Sequence, residues 1–357
     1  MNHEIVIVIN PGSLSTKIAF YNRTDMLHSV TSDHPQQELD AFNRTTDQLQ
    51  YRYKYLMQEV AAFLEHGLYT VVGVVGRGGI VRPLEGGTYR INRDFLKDAA
   101  SGKYGEHASN LGCLLADRLK DEFGLENCYT VDPVSCSNIS EVAKISGVPG
   151  IVRNGRGHPL NIKMTARKIA KLQNIPFEET NYVIAHLGGG ISIALVQGGK
   201  LVDINDALLG MGPFSPNRAG ALPLRGVIKL CRELGFEKTE VLLSKNSGFK
   251  AYLGTEDLRE VLKMIENGNA QAELIYRAFV YQIAKEIGAC FAASKGKAQA
   301  IVITGGIAYN DKFISDLKEY VGSLTEFHVY PGSNEMEALA EGIFRVIDGL
   351  EAAKEYE

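Results

Sequence analysis

Apolar positions along the chain follow two rhythms that take turns from end to end. Short Val/Ile/Ala-rich runs closed by glycine alternate with longer stretches in which apolar residues recur every three or four positions. The first rhythm belongs to buried strands and the second to helices with one apolar face, so the chain reads as α/β. The opening predicts a strand over residues 4–10, a turn through Pro11, Gly12, Ser13, Leu14 and Ser15, and a second strand over 16–21. Residues 182–186, 188–190 and 191–197 repeat that order, with a Gly198-Gly199 hairpin leading to a further strand over 200–203. The copies lie about half a chain apart, which implies two related lobes, each presenting one phosphate-sized turn to a shared cleft.

Between the copies, Leu49, Tyr53, Leu56, Val60 and Phe63 step by four and three within a helix predicted over 36–66, which Gly67 closes. A buried strand over 70–76 feeds Gly76-Arg77-Gly78-Gly79, and one over 300–304 feeds Gly305-Gly306-Ile307. A long striped helix is expected over 270–295. A last one, over 336–352, follows Pro331-Gly332-Ser333-Asn334 and is placed to cross back onto the first lobe.

At 357 residues the chain exceeds the size at which one core usually splits, about 250 to 300 residues. The break at residues 147–150 suggests lobes over 1–149 and 150–335, with 336–357 packing on the first. A formal net charge of -4 offers no basic field, which excludes nucleic acid as a partner. No apolar stretch approaches the roughly 18 residues that span a bilayer, and the N-terminus lacks a signal-peptide pattern, so a cytoplasmic protein without a membrane partner is expected. Five scattered cysteines without a CxxC pair read as reduced core thiols.

Three glycine-rich turns each follow a buried strand, the arrangement that lets backbone N–H groups converge on phosphate oxygens without a Cβ in the way. None is a GxxxxGK[ST] loop or a strand-GxGxxG-helix fingerprint, so neither a P-loop NTPase nor a Rossmann dehydrogenase is supported. Hairpins must hold the phosphates, with Lys17 starting a strand after the first turn.

The segments INPGSLSTK (9–17), GRGG (76–79), EGGTYRIN (85–92), GEHASNLG (105–112), VDPV (131–134), HLGGGIS (186–192), GPFSPNRAGALP (212–223), AYLGTED (251–257), ITGGIAY (303–309) and GSNEMEALA (332–340) occur in order over essentially the whole chain. In this string the chain resembles the butyrate kinases of the acetokinase family. The resemblance implies the superfamily of acetate kinases, sugar kinases, heat-shock chaperones and actin: two ribonuclease-H-like lobes, a duplicated βββαβαβα, with the active site in the interlobe cleft.

It also implies a set of roles. Asn10, Ser13, Ser15 and Lys17 would form the first phosphate hairpin, Gly188, Gly189 and Gly190 the second, and Gly305, Gly306 and Ile307 the adenosine site, with His186 and Asp257 also binding the nucleotide. Arg77, His158, Arg218 and Asp132 would surround the transferring phosphoryl group, Arg77 and His107 the substrate, and Asn10 and Glu335 a Mg²⁺ ion. Simpler readings stand beside these: Arg77 and Arg218 as surface ion pairs, Asp132 as a turn cap, and Glu335 as a favourable acid at a helix start. Leu14 departs from the small hydroxyl residue usual in this turn, and the stretch 153–163 around His158 departs furthest from the acetate kinase pattern.

The expected activity is reversible phosphoryl transfer between ATP/ADP and a short-chain carboxylate or acyl phosphate, with butyrate as substrate, in a homo-oligomer on family analogy. An acetate, propionate or branched-chain acid kinase and a non-enzymatic nucleotide-gated binding protein are the alternatives.

Overall fold

The computed structural model describes residues 3–136 and 139–357. The chain divides into two compact units, Met1–Cys136 with Asn334–Glu357, and Ser137–Ser333.

The first unit is built on strands β1 (His3–Pro11), β2 (Ser15–Tyr21), β3 (Met26–Asp33), β4 (Tyr69–Gly76), β5 (Thr88–Arg90) and β6 (Tyr129–Val131). They lie in the order β3-β2-β1-β4-β6-β5, with β1–β2 and β2–β3 antiparallel and β1–β4 and β4–β6 parallel. Residues 5–9 of β1 are fully buried, as a central strand covered on both faces requires. Two glycines of β4 show what covers it. A methyl at Gly73 would meet Ile343 of helix Glu335–Ile347, and one at Gly76 would lie 2.1 Å from the Gly112 carbonyl of helix Asn110–Glu122. Three positions apart on a strand, these residues face opposite sides of the sheet.

The second unit holds β7 (Asn181–Leu187), β8 (Ile191–Gln197), β9 (Lys200–Ile204), β10 (Ala300–Gly305) and β11 (Glu326–Pro331), in the order β11-β10-β7-β8-β9. Val183, Ala185, Leu187, Ile301 and Ile303 join the core that contains Phe279 and Ile283 of helix Ala270–Ala293. Tyr182, Ile184, Ala300 and Val302 join the core under helix Pro159–Gln173. Directions match the first unit: β7–β8 and β8–β9 are antiparallel, β7–β10 and β10–β11 parallel. The sequence of β1, β2, β3, β4 and β6 is therefore repeated by β7 to β11, and the expected duplication of α/β lobes is found, with β5 an added edge strand.

Four details differ from the sequence reading. The stretch 36–66 is not one helix but Gln36–Leu39, a 3₁₀ turn Thr45–Gln48 and the helix Leu49–Leu64. Strands β3 and β11 carry too little apolar alternation to stand out; β3 has only Ser32 buried. The units meet along the chain at 136/137 rather than 149/150, because Ser140 N–H donates to Val202 O at 2.8 Å and Ile145 bridges Val152, tying 139–153 to the second sheet's unit. The last helix ends at Ile347, not in the 350s. The tail then runs beside β5, where Lys354 N–H donates to Thr88 O and Arg90 N–H to Lys354 O. All five cysteines are free and four are buried. Among the described residues no helix is long and apolar enough to cross a membrane.

Candidate active site

In the first unit the end of β4 delivers Arg77 into a loop with almost no room for side chains. Methyl groups at Gly76, Gly78, Gly79 or Gly112 would all come within 2.7 Å of a neighbour, and those at Gly79 and Gly112 would strike the backbones of Asn110 and Arg77. Asn110, wholly buried, accepts Ile80 N–H and donates to Ala99 and Gly105 carbonyls, so the loop is pinned to the start of helix Asn110–Glu122. The fixed backbone holds the Arg77 side chain buried, with NH1 2.5 Å from Glu335 Oε1. Its Nε has no hydrogen-bond partner among the described residues. A buried guanidinium edge left open is a place for an oxyanion, since an unpaired buried donor is otherwise costly.

Glu335 proves to be the first residue of its helix rather than its predecessor, and its other oxygen accepts from Asn10 Nδ2 at 3.0 Å. Asn10, Arg77 and Glu335 thus form one cluster, which removes the surface-pair reading of Arg77. Asp132 is buried at the end of β6 with φ +40°, accepts Gly87 N–H at 2.8 Å and is approached by Cys136 Sγ. That makes it the anchor of the Gly86-Gly87 loop, close to the turn-capping alternative. His107 is exposed in the loop ahead of helix Asn110–Glu122, and its Nδ1 accepts Ser109 N–H at 3.2 Å, which leaves Nε2 to carry the proton of the neutral ring.

The turn between β1 and β2 is tight, Gly12 N–H donating to Ser15 O at 2.8 Å, and presents Ser13 and Ser15 with Lys17 exposed just beyond. The side chains that hold it from behind, Arg52 and His34, are buried and were not anticipated.

In the second unit the corresponding turn is closed by Gly188 N–H to Gly190 O at 3.1 Å, and Ser215 Oγ donates to Gly189 O. His186, the next-to-last residue of β7, stacks on His158 with ring centroids 3.9 Å apart. Asn161 Oδ1 lies 2.9 Å from His186 Nδ1, which fixes that nitrogen as the donor, and Ser192 Oγ lies 2.9 Å from His158 Nδ1. Neither partner was expected. A methyl on Gly190 would lie 2.3 Å from Arg218 NH1 and 3.4 Å from His158 Cε1, so arginine and histidine converge on this glycine. Arg218 is anchored by NH1 to Ala207 O at 2.6 Å; burial draws its pKa below the ordinary value, against Asp206 and Glu256, which hold it up.

A cavity of about 620 Å³ opens beside this turn. It is lined by Gly188, Gly189, Asp257, Gly306 and Ile307 and by Pro216, Glu256, Leu258, Arg259, Tyr309 and Asn310. Its size is that of a pocket for a small-molecule ligand. Gly305 has φ +92° and passes within 2.3 Å, measured from a methyl in its place, of the Leu187 carbonyl, so no other residue fits there. The Asp257 carboxylate caps helix Leu258–Glu266 and forks onto Arg259, whose hydrogen bond keeps its pKa low. No trio of His, Cys, Asp or Glu able to cage a metal occurs among the described residues.

Residues 147–337 match the acetokinase family. A probable butyrate kinase of Listeria monocytogenes is 42% identical over 98% of this chain and 99% of its own length, and one of Clostridium botulinum is 40% identical over the same shares. Among solved structures, Porphyromonas gingivalis acetate kinase superposes with a TM-score of 0.76 at 18% identity, covering 96% of this chain and 99% of that one. A propionate kinase of Francisella tularensis gives 0.73 at 19% identity, with the same coverage. These last two speak for the fold. With the near full-length relatives and the family match together, the chain belongs to the acetokinase family.

Proposed function

We propose that this chain, a carboxylate kinase that uses ATP, takes butyrate as its acceptor and interconverts butyrate and ATP with butyryl phosphate and ADP. The observation that carries the reading is the buried Arg77 with its unpaired Nε; the four-carbon acceptor is supported by the names of relatives 40–43% identical over nearly the whole chain.

A short fatty acid has a pKa near that of Glu, about 4.3, so at neutral pH the nucleophile is already an anion and needs no general base. The obstacle is repulsion between carboxylate and γ-phosphate. Arg77 offers a planar fork to the carboxylate, and Arg218 and His158 offer donors to the phosphoryl oxygens as charge spreads in line. A carboxylate oxygen bonds to the γ-phosphorus while the bond from phosphorus to the β,γ-bridging oxygen breaks, and ADP departs with that electron pair. The cavity beside Gly188 and Gly189 takes the adenosine, and the two hairpin turns take phosphates.

Asn10 and Glu335 suit Mg²⁺, an ion that binds nucleotide sites through one or two carboxylates and keeps most of its waters. Glu335 faces Arg77 with one oxygen and Asn10 Nδ2 with the other, so the pair would hold such a partly hydrated ion through its waters and the Asn10 amide oxygen, and the ion would neutralise phosphate charge there. The family's setting, a homo-oligomer in the cytoplasm, belongs to the same proposal.

The test is an acyl-hydroxamate assay with Mg-ATP and acids from acetate to valerate plus isobutyrate. Product peaking at four carbons is expected, with neighbours used less well because one methylene discriminates by only about 1–3 kcal/mol. A maximum at acetate or propionate would reassign the acceptor. No product from any acid despite ATP binding would leave a nucleotide-gated binding protein. Arg77→Ala should lower acyl phosphate formation by about 10²–10³-fold in a folded protein; unchanged turnover would remove Arg77 from the chemistry.

A further inference from the structure

Arg52 belongs to no step of that scheme, yet its placement is among the most constrained in the chain. It lies on helix Leu49–Leu64 and is completely buried. Among the described residues no carboxylate pairs with it. Its guanidinium is shared among neutral oxygens: NH1 donates to the carbonyls of Gly12 at 2.9 Å and Ser15 at 2.8 Å and to Thr16 Oγ1 at 3.2 Å, NH2 to Ser13 O at 2.9 Å, and Nε to Gln48 Oε1 at 3.0 Å. The remaining carbonyl of the turn, that of Leu14, accepts the His34 N–H at 2.7 Å.

A buried cation without a counter-charge is a poor means of stabilising a fold. The same helix face carries Leu56, Val60 and Phe63, all buried, and an apolar residue at 52 would extend it without that penalty. What the arginine adds is orientation and charge. In a planar trans peptide the C=O and the following N–H point opposite ways. Drawing the Gly12 and Ser13 carbonyls toward Arg52 therefore turns the N–H groups of Ser13 and Leu14 away from it, and neither of these has a partner among the described residues. Burial lowers the Arg52 pKa only to about 10, so the charge is present at neutral pH.

We propose that Arg52 is the positioning residue of the first phosphate turn: it holds the turn's carbonyls inward so that the Ser13 and Leu14 N–H groups face the phosphates of a nucleoside triphosphate, with one positive charge behind them. This rests on the reading that the turn takes nucleotide phosphates, and it deepens that reading by naming what shapes the turn.

The experiment compares Arg52→Ala, Arg52→Lys and Lys17→Met in the full chain, by steady-state kinetics for Mg-ATP and by calorimetric binding of ATP and of adenosine. Arg52→Ala should raise KM for ATP at least tenfold and weaken ATP binding alike, leave adenosine affinity within twofold, and recover severalfold on adding guanidinium ions. Arg52→Lys, which keeps the charge but not the fork, should show the same split at smaller size; it decides the matter where Arg52→Ala does not fold. Wild-type ATP affinity in a folded Arg52 variant, or adenosine affinity falling in step with ATP, would overturn the assignment. Lys17→Met separates the two layers of the argument. If it weakens ATP while the Arg52 variants do not, Arg52 alone is misassigned; if it too leaves ATP binding unchanged, the turn does not take phosphates and both readings fall.

Discussion

The two hairpin turns stand at the same place in two sheets of the same strand order, between β1 and β2 and between β7 and β8, yet they are held by different devices. The first has a cation behind it, Arg52, which takes three of its carbonyls. The second, closed through Gly188 and Gly190 as the first is through Gly12 and Ser15, has its cation, Arg218, lying against Gly190 instead. Arg52 comes from the helix that follows β3, whereas Arg218 comes from the long connection after β9. Topology therefore fixes where a turn occurs, while elements outside the repeat decide how its charge is arranged. The difference also explains glycine usage. Gly12 has open room for a methyl, its nearest contact being 3.5 Å from Ser15 Oγ, but Gly190 has none.

The sharpest way to break this contrast is a pair of matched substitutions. In Gly190→Ala the new methyl must push the Arg218 guanidinium off the Ala207 carbonyl, a shift of the order of 1 Å, which is worth about 10²-fold in rate when it misplaces a group at the chemistry. Gly12→Ala should lower kcat by no more than a few fold, because no neighbour has to move. Steady-state kcat for acyl phosphate formation measures both. Equal losses in the two variants would mean that Arg218 does not depend on Gly190 for its position.

The strands with unbroken apolar runs, β1, β4, β7, β8 and β10, were legible because a strand covered on both faces must be apolar throughout. Strands β3 and β11 were not, since apart from Ser32 their side chains are half-exposed or exposed and carry little alternation. The turns and the loop arginine at 77 announced themselves through glycine; the groups that orient them did not. Arg52 was hidden inside a helix stripe read as Leu49, Tyr53, Leu56, whose spacing gives no reason to place a charged residue on the buried side. Asn161 and Ser192, the partners of the stacked histidines, are ordinary residues until β7, β8 and the helix after His158 bring them together. Asp257 shows the converse. Its place in the cavity wall followed from its segment, while the arginine two residues on that bonds both its oxygens drew no notice in the sequence.

His34 yields a smaller effect that tests the first device by pH. Thr16 Oγ1 accepts from Arg52 and shares a hydrogen bond with His34 Nε2, 2.9 Å away, which ties the buried ring to the same group that holds the turn. Burial pushes the His34 pKa down to about 4, helped by the Arg52 charge and opposed by Asp33 and Glu38. The unfolded chain takes up a proton near pH 6.5 that the folded turn refuses until about pH 4, so this contribution to stability is whole above pH 6.5 and is lost as pH falls to about 4. From about 6.5 to about 4, at 1.36 kcal/mol per pKa unit, the loss would be about 3 kcal/mol, which solvent screening brings to about 2 kcal/mol. His34→Gln removes the titration, and urea unfolding of both proteins between pH 4 and 7 should show the variant losing less stability toward acid. Parallel slopes would mean that the folded ring takes up its proton as readily as the unfolded chain does, and the first turn would then be held by a different balance of charges from the one its carbonyls imply.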